Sequence, residues 1–250
     1  MINFIKVIVA KALANDLTGN IISFLLNNKL PFYGASIDVS SKQISGRNKA
    51  SIFWRFYESA EICFVKKYID PDDDIIEVGS SIGVVASVIS SIQKNGKLIC
   101  VEANTKLLPV IRQNLAINRK GPYELINKAI AYNTNSVYFN TGSDNLVGQI
   151  SKSEQGNNIQ ATTLNDIIEL FNINSYSLIC DIEGAEVGII KLDMEALNKC
   201  NKMIIELHDS TYENELYLVS DLVELMIKND FKILDSHGPV FVFQNNNLTI

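Results

Sequence analysis

The chain has 250 residues, of which 47% are hydrophobic and 20% are charged. This composition belongs to a protein with a packed core, so it excludes a disordered or collagen-like chain, and the length fits one domain. Lys and Arg number 22 against 28 Asp and Glu, which gives a net charge of −6. We therefore expect no nucleic-acid partner, since binding to a phosphate backbone needs a basic surface.

The beginning of the chain resembles a signal peptide at residues 12–14, but Lys6 and Lys11 interrupt its apolar stretch. We therefore predict no export, and no run reaches the ~18 apolar residues of a membrane-spanning helix. The cysteines lack the paired spacing of zinc or redox motifs, and they are Cys63, Cys100, Cys180 and Cys200. We interpret them as buried, reduced thiols of a cytoplasmic protein.

The first 70 residues show helical spacing of apolar side chains. In residues 1–30 the pattern includes Ile5, Val9 and Phe24, and residues 51–69 repeat it until Pro71. We interpret residues 1–70 as a helical cap on the substrate side and residues 71–250 as one compact main domain.

From residue 75 onward, short apolar runs alternate with helical stretches, as in strands buried between helices. The predicted strands are 75–78, 98–102, 124–127, 177–181, 203–207, 231–235 and 240–244. The predicted helices are 82–93, 105–118, 164–171, 186–197 and 213–229. This order predicts an α/β fold with a mostly parallel, Rossmann-like sheet and right-handed crossovers.

The last two predicted strands are separated only by the short turn 235–239, which leaves no room for a helix. They must pair as an antiparallel hairpin, an ending typical of Class I methyltransferases. Residues 132–163 are the least regular part, with one alternating stretch at 136–139 that predicts an added strand or flap.

A glycine turn follows the first strand of the main domain, in the stretch IIEVGSSIG at 75–83. Gly79 and Gly83 permit a tight turn, and the helix that follows offers free N–H groups to a nucleotide-type ligand. Ser81 stands where the dinucleotide fingerprint has its second glycine, so a pyrophosphate fits poorly. Glu77 suits a cationic amino-acid ligand better than a phosphate. A plain strand-to-helix turn is the alternative interpretation.

An acidic residue ends the second strand, in LICVEANT at 98–105. Glu102 lies 19 residues after Gly83, the position at which an acid accepts hydrogen bonds from both ribose hydroxyls. We expect the neighbouring Ala103 and Asn104 to contact the same ligand. A solvated loop charge is the alternative for Glu102.

Three acids follow the strand in SLICDIEGAE at 177–186. Ligands of open parallel sheets bind beyond the carboxyl ends of the strands, so we expect Asp181 and Glu183 to be functional. Glu186 begins a predicted helix, and we assign it to helix capping.

Another buried strand, in MIIELHDS at 203–210, delivers Glu206 and His208 to the same edge and on the same face. With Asp181 on the neighbouring strand, a carboxylate and an imidazole converge there. A structural His208 is the alternative. His237, the other histidine of the chain, lies in the hairpin turn and is expected to be solvated.

These motifs together resemble the FkbM-type methyltransferases, a branch of the S-adenosylmethionine-dependent Class I group. The resemblance covers roughly residues 57–243, and DIEGAE and IIELH are its most specific pieces. It implies that the methionine part of S-adenosylmethionine lies along the glycine turn and that Glu102 binds the ribose. The residues implied along the turn are Glu77, Gly79, Ser80, Ser81 and Gly83. Asp181 is expected to contribute to the cofactor site as well.

The resemblance also implies methyl transfer to a hydroxyl of a sugar in a glycan, a glycolipid or a natural product. Such a hydroxyl must lose its proton, so we assign His208 as the base, held by Glu206 or Asp181. A divalent ion bound by Asp181, Glu206 and His208 is the competing assignment, which we do not favour because hard ions need more oxygen ligands.

Three further residues are candidates for acceptor binding, namely Glu183, Arg47 and Tyr57. Arg47 is suited to a phosphate or carboxylate of the acceptor, and Tyr57 to stacking on a sugar ring. For Tyr57, an aromatic at helical spacing, packing in the core is the alternative that the pattern favours. Two other functions share parts of the pattern. An NAD(P)-dependent oxidoreductase would use Glu102 and the glycine turn, and a catalytically silent glycan-binding protein would keep the fold alone.

Overall fold

The computed structural model describes residues 13–141, 146, 148–151 and 156–248. The predicted helical positions Ile5 and Val9 lie outside these residues. Among the residues described, no helix has the length and apolar character needed to cross a membrane.

Helices and strands follow one another along the chain, and we number them in that order. The elements are α1 (Asp16–Leu25), β1 (Lys29–Phe32), β2 (Ala35–Asp38), α2 (Gly46–Phe53), α3 (Ser59–Tyr68), β3 (Ile75–Val78), α4 (Val84–Ile92), β4 (Leu98–Val101), α5 (Leu108–Asn118), β5 (Tyr123–Ile126), β6 (Ala129–Ile130), β7 (Ser136–Thr141), β8 (Gly148–Ser151), β9 (Asn157–Thr162), α6 (Leu164–Leu170), β10 (Tyr176–Cys180), α7 (Glu186–Leu192), α8 (Met194–Lys199), β11 (Cys200–Glu206), β12 (Ser210–Tyr212), β13 (Glu215–Tyr217), α9 (Val219–Lys228), β14 (Phe231–His237) and β15 (Val240–Asn245).

The central sheet has seven strands in the order β14-β15-β11-β10-β3-β4-β5. Strands β11, β10, β3, β4 and β5 run parallel, whereas β15 is antiparallel to both β11 and β14. The predicted α/β fold with a mostly parallel sheet and a C-terminal hairpin is confirmed. The strands that carry the candidate residues, β3, β4, β10 and β11, lie side by side in its middle.

Three predicted helices differ from the observed ones. The segment 51–69 holds two helices, α2 and α3, because Arg55 and Glu58 adopt left-handed backbone conformations with φ of 61° and 42°. The segment 186–197 is also divided, into α7 and α8. The segment 213–229 becomes helical only at Val219, because Glu213 and Asn214 have positive φ and form the turn of the hairpin β12–β13.

The small residues of helix α1 pack against the rest of the protein. Gly19 and Ser23 are buried, whereas Phe24 is 80% and Leu25 69% exposed. A Cβ at Gly19 would lie 1.7 Å from the carbonyl oxygen of Gly46, so α1 and α2 touch backbone to backbone. The periodicity therefore predicted the helix but not the face that packs.

Two hydrophobic clusters form the core, and the first joins the N-terminal part to the sheet. It contains Leu30 and Ile37 from the first hairpin together with Ile75 of β3. The predicted burial of the cysteines holds for Cys100, Cys180 and Cys200, but it is wrong for Cys63, which is exposed. Cys63 lies on a solvent-facing position of α3, and burial of a helix residue depends on the face rather than on apolar neighbours in sequence.

The least regular predicted segment forms a second sheet, with the order β6-β9-β7-β8. The predicted strand 136–139 is present and extends to Thr141. This sheet brings Phe139 and Gly148 to the wall of a cavity at the carboxyl edge of the central sheet.

Candidate active site

A cavity lies beyond the carboxyl ends of β3, β4 and β10. Its empty space is about 1020 Å³ when the open mouth is included. The enclosed part of the cavity measures about 240 Å³, which is close to the lower end of small-molecule sites in proteins, at about 300–1,000 Å³. The wall includes Gly79, Glu102 and Asp181, one from each of three adjacent strand ends.

Glu102 follows β4 and is held by the backbone around it. Its Oε2 accepts a hydrogen bond from the Ser81 N–H at 2.7 Å, and its Oε1 accepts one from the Asn104 N–H at 2.7 Å. A carboxylate has about four acceptor positions, so each oxygen can still accept one hydroxyl. Burial raises the pKa of Glu102 to about 7. The side chain is thus a fixed, buried acceptor of two further hydrogen bonds.

Other backbone segments of the protein pack closely against the glycine turn after β3. Gly79 has φ of 86°, and a Cβ there would lie 1.8 Å from the carbonyl oxygen of Asp181. At Gly83 a Cβ would meet the backbone of Ile111 at 3.3 Å. Ser81 adopts φ of 48°, which directs its N–H to Glu102. The glycines therefore permit close packing of strand and helix, and Gly79 also lines the cavity.

The opposite end of the cavity is acidic. Glu58, Asp181 and Glu183 contribute to its wall. Burial, followed by the negative charge of the nearby Glu206, raises the pKa of Asp181 to about 7. Burial also raises the pKa of Glu58 well above its usual range. Tyr57 lies beside them, with its hydroxyl 3.2 Å from the Ser81 Oγ.

His208 lies next to this end and is surrounded by carboxylates. Its Nδ1 is 3.0 Å from Glu186 Oε1, and its Nε2 is 3.6 Å from Glu206 Oε1 and 3.7 Å from Glu183 Oε2. The hydrogen bond with Glu186 is the main reason why the pKa of His208 is raised to about 10, followed by the bond with Glu206. The partner that holds His208 most closely is thus Glu186, rather than Glu206 or Asp181.

Glu186 has two roles in the structure. As predicted, it begins α7, and its Oε1 accepts a hydrogen bond from the Gly184 N–H at 3.1 Å. The same oxygen also contacts His208, and the residue is fully buried. The sequence pattern of an acid at a helix start predicted the first role but gave no sign of the contact with His208.

Asp181, Glu206 and His208 converge as the sequence predicts. One ligand atom of each lies within 4.8 Å of the others, a spacing that can hold a metal ion. The convergence follows from the register of β10 and β11, in which Cys180 pairs with Ile205 and the two strands end together. Glu206 and His208 do not line the cavity themselves, but they lie next to Asp181 and Glu183, which do.

The other predicted site residues divide into two groups. Six of those assigned to the cofactor line the cavity, and they are Gly79, Ser81, Glu102, Ala103, Asn104 and Asp181. Glu77, Ser80 and Gly83 lie behind the wall, and Glu77 is only 2% exposed. Of the acceptor candidates, Glu183 and Tyr57 line the cavity, whereas Arg47 is exposed on α2 and does not reach it.

Sequence reasoning missed several wall residues, namely Glu58, Lys128, Ala129, Ile130 and Phe139. Residues 128–130 follow β5, so their place at the carboxyl edge could have been inferred from the sheet order. Glu58 and Phe139 come from elements outside the central sheet. No motif in the sequence marks them.

The strand order, the terminal hairpin and the acid at the end of β4 define a Class I methyltransferase fold. The family model described as "Methyltransferase FkbM domain" matches residues 77–233. The chain belongs to this methyltransferase family, and S-adenosylmethionine is the expected cofactor.

Other comparisons give more distant likenesses. A cysteine–tRNA ligase of Aliarcobacter butzleri (strain RM4018) is 32% identical over 107 residues, which cover 40% of this chain. The chain spans 23% of the length of that relative.

Among solved structures, a ribosomal protein L11 methylase from Lactobacillus delbrueckii subsp. bulgaricus has 11% identity and a TM-score of 0.43, with 76% of this chain and 79% of that chain covered. TrmK of M. capricolum, in complex with S-adenosylhomocysteine, has 12% identity and a TM-score of 0.44, with coverages of 74% and 67%. We base family membership on the family model alone.

The residues present fit S-adenosylmethionine. Glu102 has free acceptor positions for the two ribose hydroxyls. The acidic wall at Asp181 and Glu58 suits the positive charge of the sulfonium and the amino group, and Asp181 Oδ1 is buried without a hydrogen-bond partner. When bound, the cofactor supplies an electrophilic methyl group. Glu102 and Asp181 are the residues that would hold it.

Proposed function

We propose that this chain is an S-adenosylmethionine-dependent O-methyltransferase that acts on a hydroxyl of a sugar in a glycan, a glycolipid or a natural product. The observation that carries the proposal is the acidic acceptor end, where Asp181, Glu183 and Glu206 lie around His208. Carboxylates accept hydrogen bonds from hydroxyls, so they bind a neutral polyol well. They repel a phosphate backbone, which agrees with the net charge of −6 and argues against a nucleic-acid acceptor.

Methyl transfer from a sulfonium is an in-line displacement, so donor and acceptor must be held in attack geometry. Asp181 lines the cavity and also belongs to the cluster with Glu206 and His208. We assign these three residues to the catalytic step. Because its pKa is raised to about 10, His208 already carries its proton at neutral pH, so its role is to position the carboxylates, and Asp181, with a pKa of about 7, is the group that accepts the proton of the acceptor hydroxyl. Glu183 and Tyr57 are the proposed acceptor contacts.

The predicted division into a cap of residues 1–70 and a main domain of residues 71–250 stays part of the proposal. It is supported by Asn48, Tyr57 and Glu58, which reach the cavity from the N-terminal part. A cytoplasmic location is supported by the free cysteines Cys63, Cys100, Cys180 and Cys200, since free thiols are usual in a reducing compartment.

The test is transfer of a labelled methyl group from S-adenosylmethionine to a panel of acceptors. The panel contains nucleotide sugars, oligosaccharides, glycolipid precursors and, as competitors, transfer RNA and ribosomal protein. We expect label only in the carbohydrate arm, with NMR showing a methoxy carbon on a ring hydroxyl. Label confined to RNA or protein, or on a nitrogen, would contradict the proposal.

A further inference from the structure

The cluster formed by Asp181, Glu206 and His208 brings a ligand set together from two strand ends. Asp181 follows β10, Glu206 ends β11, and His208 lies two residues beyond. Their ligand atoms lie within 4.8 Å of one another, and His208 Nε2 is 3.6 Å from Glu206 Oε1. Ligands of one ion at bond lengths of about 2.1 Å stand roughly 3–4 Å apart, so only a small inward movement is required.

The orientation of the His208 ring is fixed by a buried carboxylate. Glu186 is 0% exposed, and because a carboxylate only accepts hydrogen bonds, Nδ1 must donate to its Oε1 at 3.0 Å. Nε2 therefore points to Glu206 and Glu183. A carboxylate behind the histidine, with the other ring nitrogen directed at carboxylates, is the arrangement that orients a metal-binding histidine.

The cluster also has more carboxylates than cationic groups. Asp181, Glu183, Glu186 and Glu206 lie around one imidazole. Among the residues described, Glu183, Glu186 and Glu206 form ion pairs with His208, and none of the four acids pairs with a lysine or an arginine. Asp181 Oδ1 and Glu186 Oε2 are buried and have no hydrogen-bond partner. A buried carboxylate oxygen without a partner is costly, and a cation bound by Asp181 would satisfy its Oδ1.

We propose that Asp181, Glu206 and His208 bind one divalent cation, with Glu186 as the residue that positions His208. A ligand set of one imidazole and two carboxylates suits an ion such as Mn²⁺, which accepts both nitrogen and oxygen ligands. Three protein ligands leave coordination positions for water and for the acceptor hydroxyl. The use of the ion in lowering that hydroxyl's pKa rests on the proposed function, whereas the binding of the ion does not.

The experiment is a titration of the purified, metal-free full chain with Mn²⁺, in which electron paramagnetic resonance reports the free ion. We expect one saturable site per chain. Asp181→Asn and His208→Ala should each weaken binding at least about tenfold, and Glu186→Gln about tenfold or more, because loss of a supporting partner typically costs 10–100-fold in affinity. Circular dichroism and urea unfolding show which variants are folded.

Two variants serve as controls for the Mn²⁺ titration. His237→Ala removes the exposed second histidine, and Glu124→Gln changes an exposed acid on β5, so both should bind Mn²⁺ as the unmodified chain does. Absence of saturable Mn²⁺ binding, or equal binding by folded His208→Ala and Asp181→Asn, would overturn the inference.

Failure of the proposed function looks different. If Mn²⁺ binds as expected while no methyl group reaches any carbohydrate, the metal site stands and the assigned reaction does not. If carbohydrates are methylated at an unchanged rate in the presence of a chelator and Mn²⁺ does not bind, the reaction stands and the metal site does not.

Discussion

The carboxylates in the two halves of the candidate active site, the cofactor half and the acceptor half, have different hydrogen-bond partners. In the cofactor half, both oxygens of Glu102 accept backbone N–H groups at 2.7 Å, so the side chain is fixed before any ligand arrives. In the acceptor half, Asp181 and Glu206 share one histidine with Glu183 and Glu186. The first half is built to position a ligand, and the second has an excess of negative charge that favours a cation or a hydroxyl donor.

The largest expected effect is a loss of reaction rate on changing the acceptor half, without a loss of ligand binding in the cofactor half. His208→Ala should lower kcat for methyl transfer by about 10²–10⁴, because a positioned group that assists proton removal contributes that much. Affinity for S-adenosylhomocysteine should change little, since His208 belongs to the acceptor half. His237→Ala is the matched control and should keep full activity. A His208→Ala enzyme with unchanged kcat would remove His208 from the mechanism.

The second effect concerns Gly79, which lines the cavity next to Asp181. Gly79→Ala should destabilise the protein by about 3–4 kcal/mol, because the added Cβ would lie 1.8 Å from the Asp181 carbonyl oxygen and the backbone has φ of 86°. Gly238→Ala is the matched control, since Gly238 has φ of 61° but no atom within 4 Å of the added Cβ. It should cost only about 1 kcal/mol. Equal losses in urea unfolding would show that the close approach of β3 and β10 is unimportant.

The third effect tests the cofactor half directly. Glu102→Gln keeps the shape of the side chain but loses the charge that strengthens its hydrogen bonds, so binding of S-adenosylhomocysteine should weaken by about 100-fold. Glu124→Gln on β5 changes an exposed acid and should have no effect. Calorimetry measures both. Tight binding of NAD instead, in the same experiment, would indicate an oxidoreductase.

The smallest effect is a pH dependence of stability. Burial raises the pKa of Glu77 to about 7 in the folded protein, whereas the unfolded chain ionises near its ordinary value of 4.5. Between about pH 4.5 and pH 7, Glu77 keeps its proton in the folded protein but loses it in the unfolded chain. The contribution of Glu77 to the free energy of unfolding is therefore largest below about pH 4.5 and falls as the pH rises to about 7. We expect a loss of about 2 kcal/mol from this group between about pH 5 and pH 7.

The control for this prediction is Glu77→Gln, which removes the titrating group and keeps the shape. The slope of unfolding free energy against pH should be shallower in this variant than in the unmodified chain. Identical slopes would mean that Glu77 does not carry the dependence.

Much of the site was predictable because strand ends in a parallel sheet meet at one edge. Asp181, Glu206 and Glu102 each follow a buried apolar run, so their positions follow from the strand pattern. The acid after β4 and the glycine turn after β3 lie together because Val78 pairs with Val101. The family resemblance points to the same residues.

The rest depended on packing that periodicity does not encode. Glu58 reaches the cavity because a left-handed backbone divides one apparent helix into α2 and α3. Phe139 reaches the cavity from the second sheet, whose strands come from the part of the sequence with the least regular pattern. Glu186 looked like a helix cap, and only the fold shows that the same oxygen holds His208.

The most direct test is a crystal structure of the chain with S-adenosylhomocysteine. The account predicts that both ribose hydroxyls donate to Glu102, and that the sulfur lies over the bend at Gly79 and faces Asp181. Adenosine bound elsewhere on the protein, or the same ligand in the reverse direction with its sulfur away from Asp181, would contradict it.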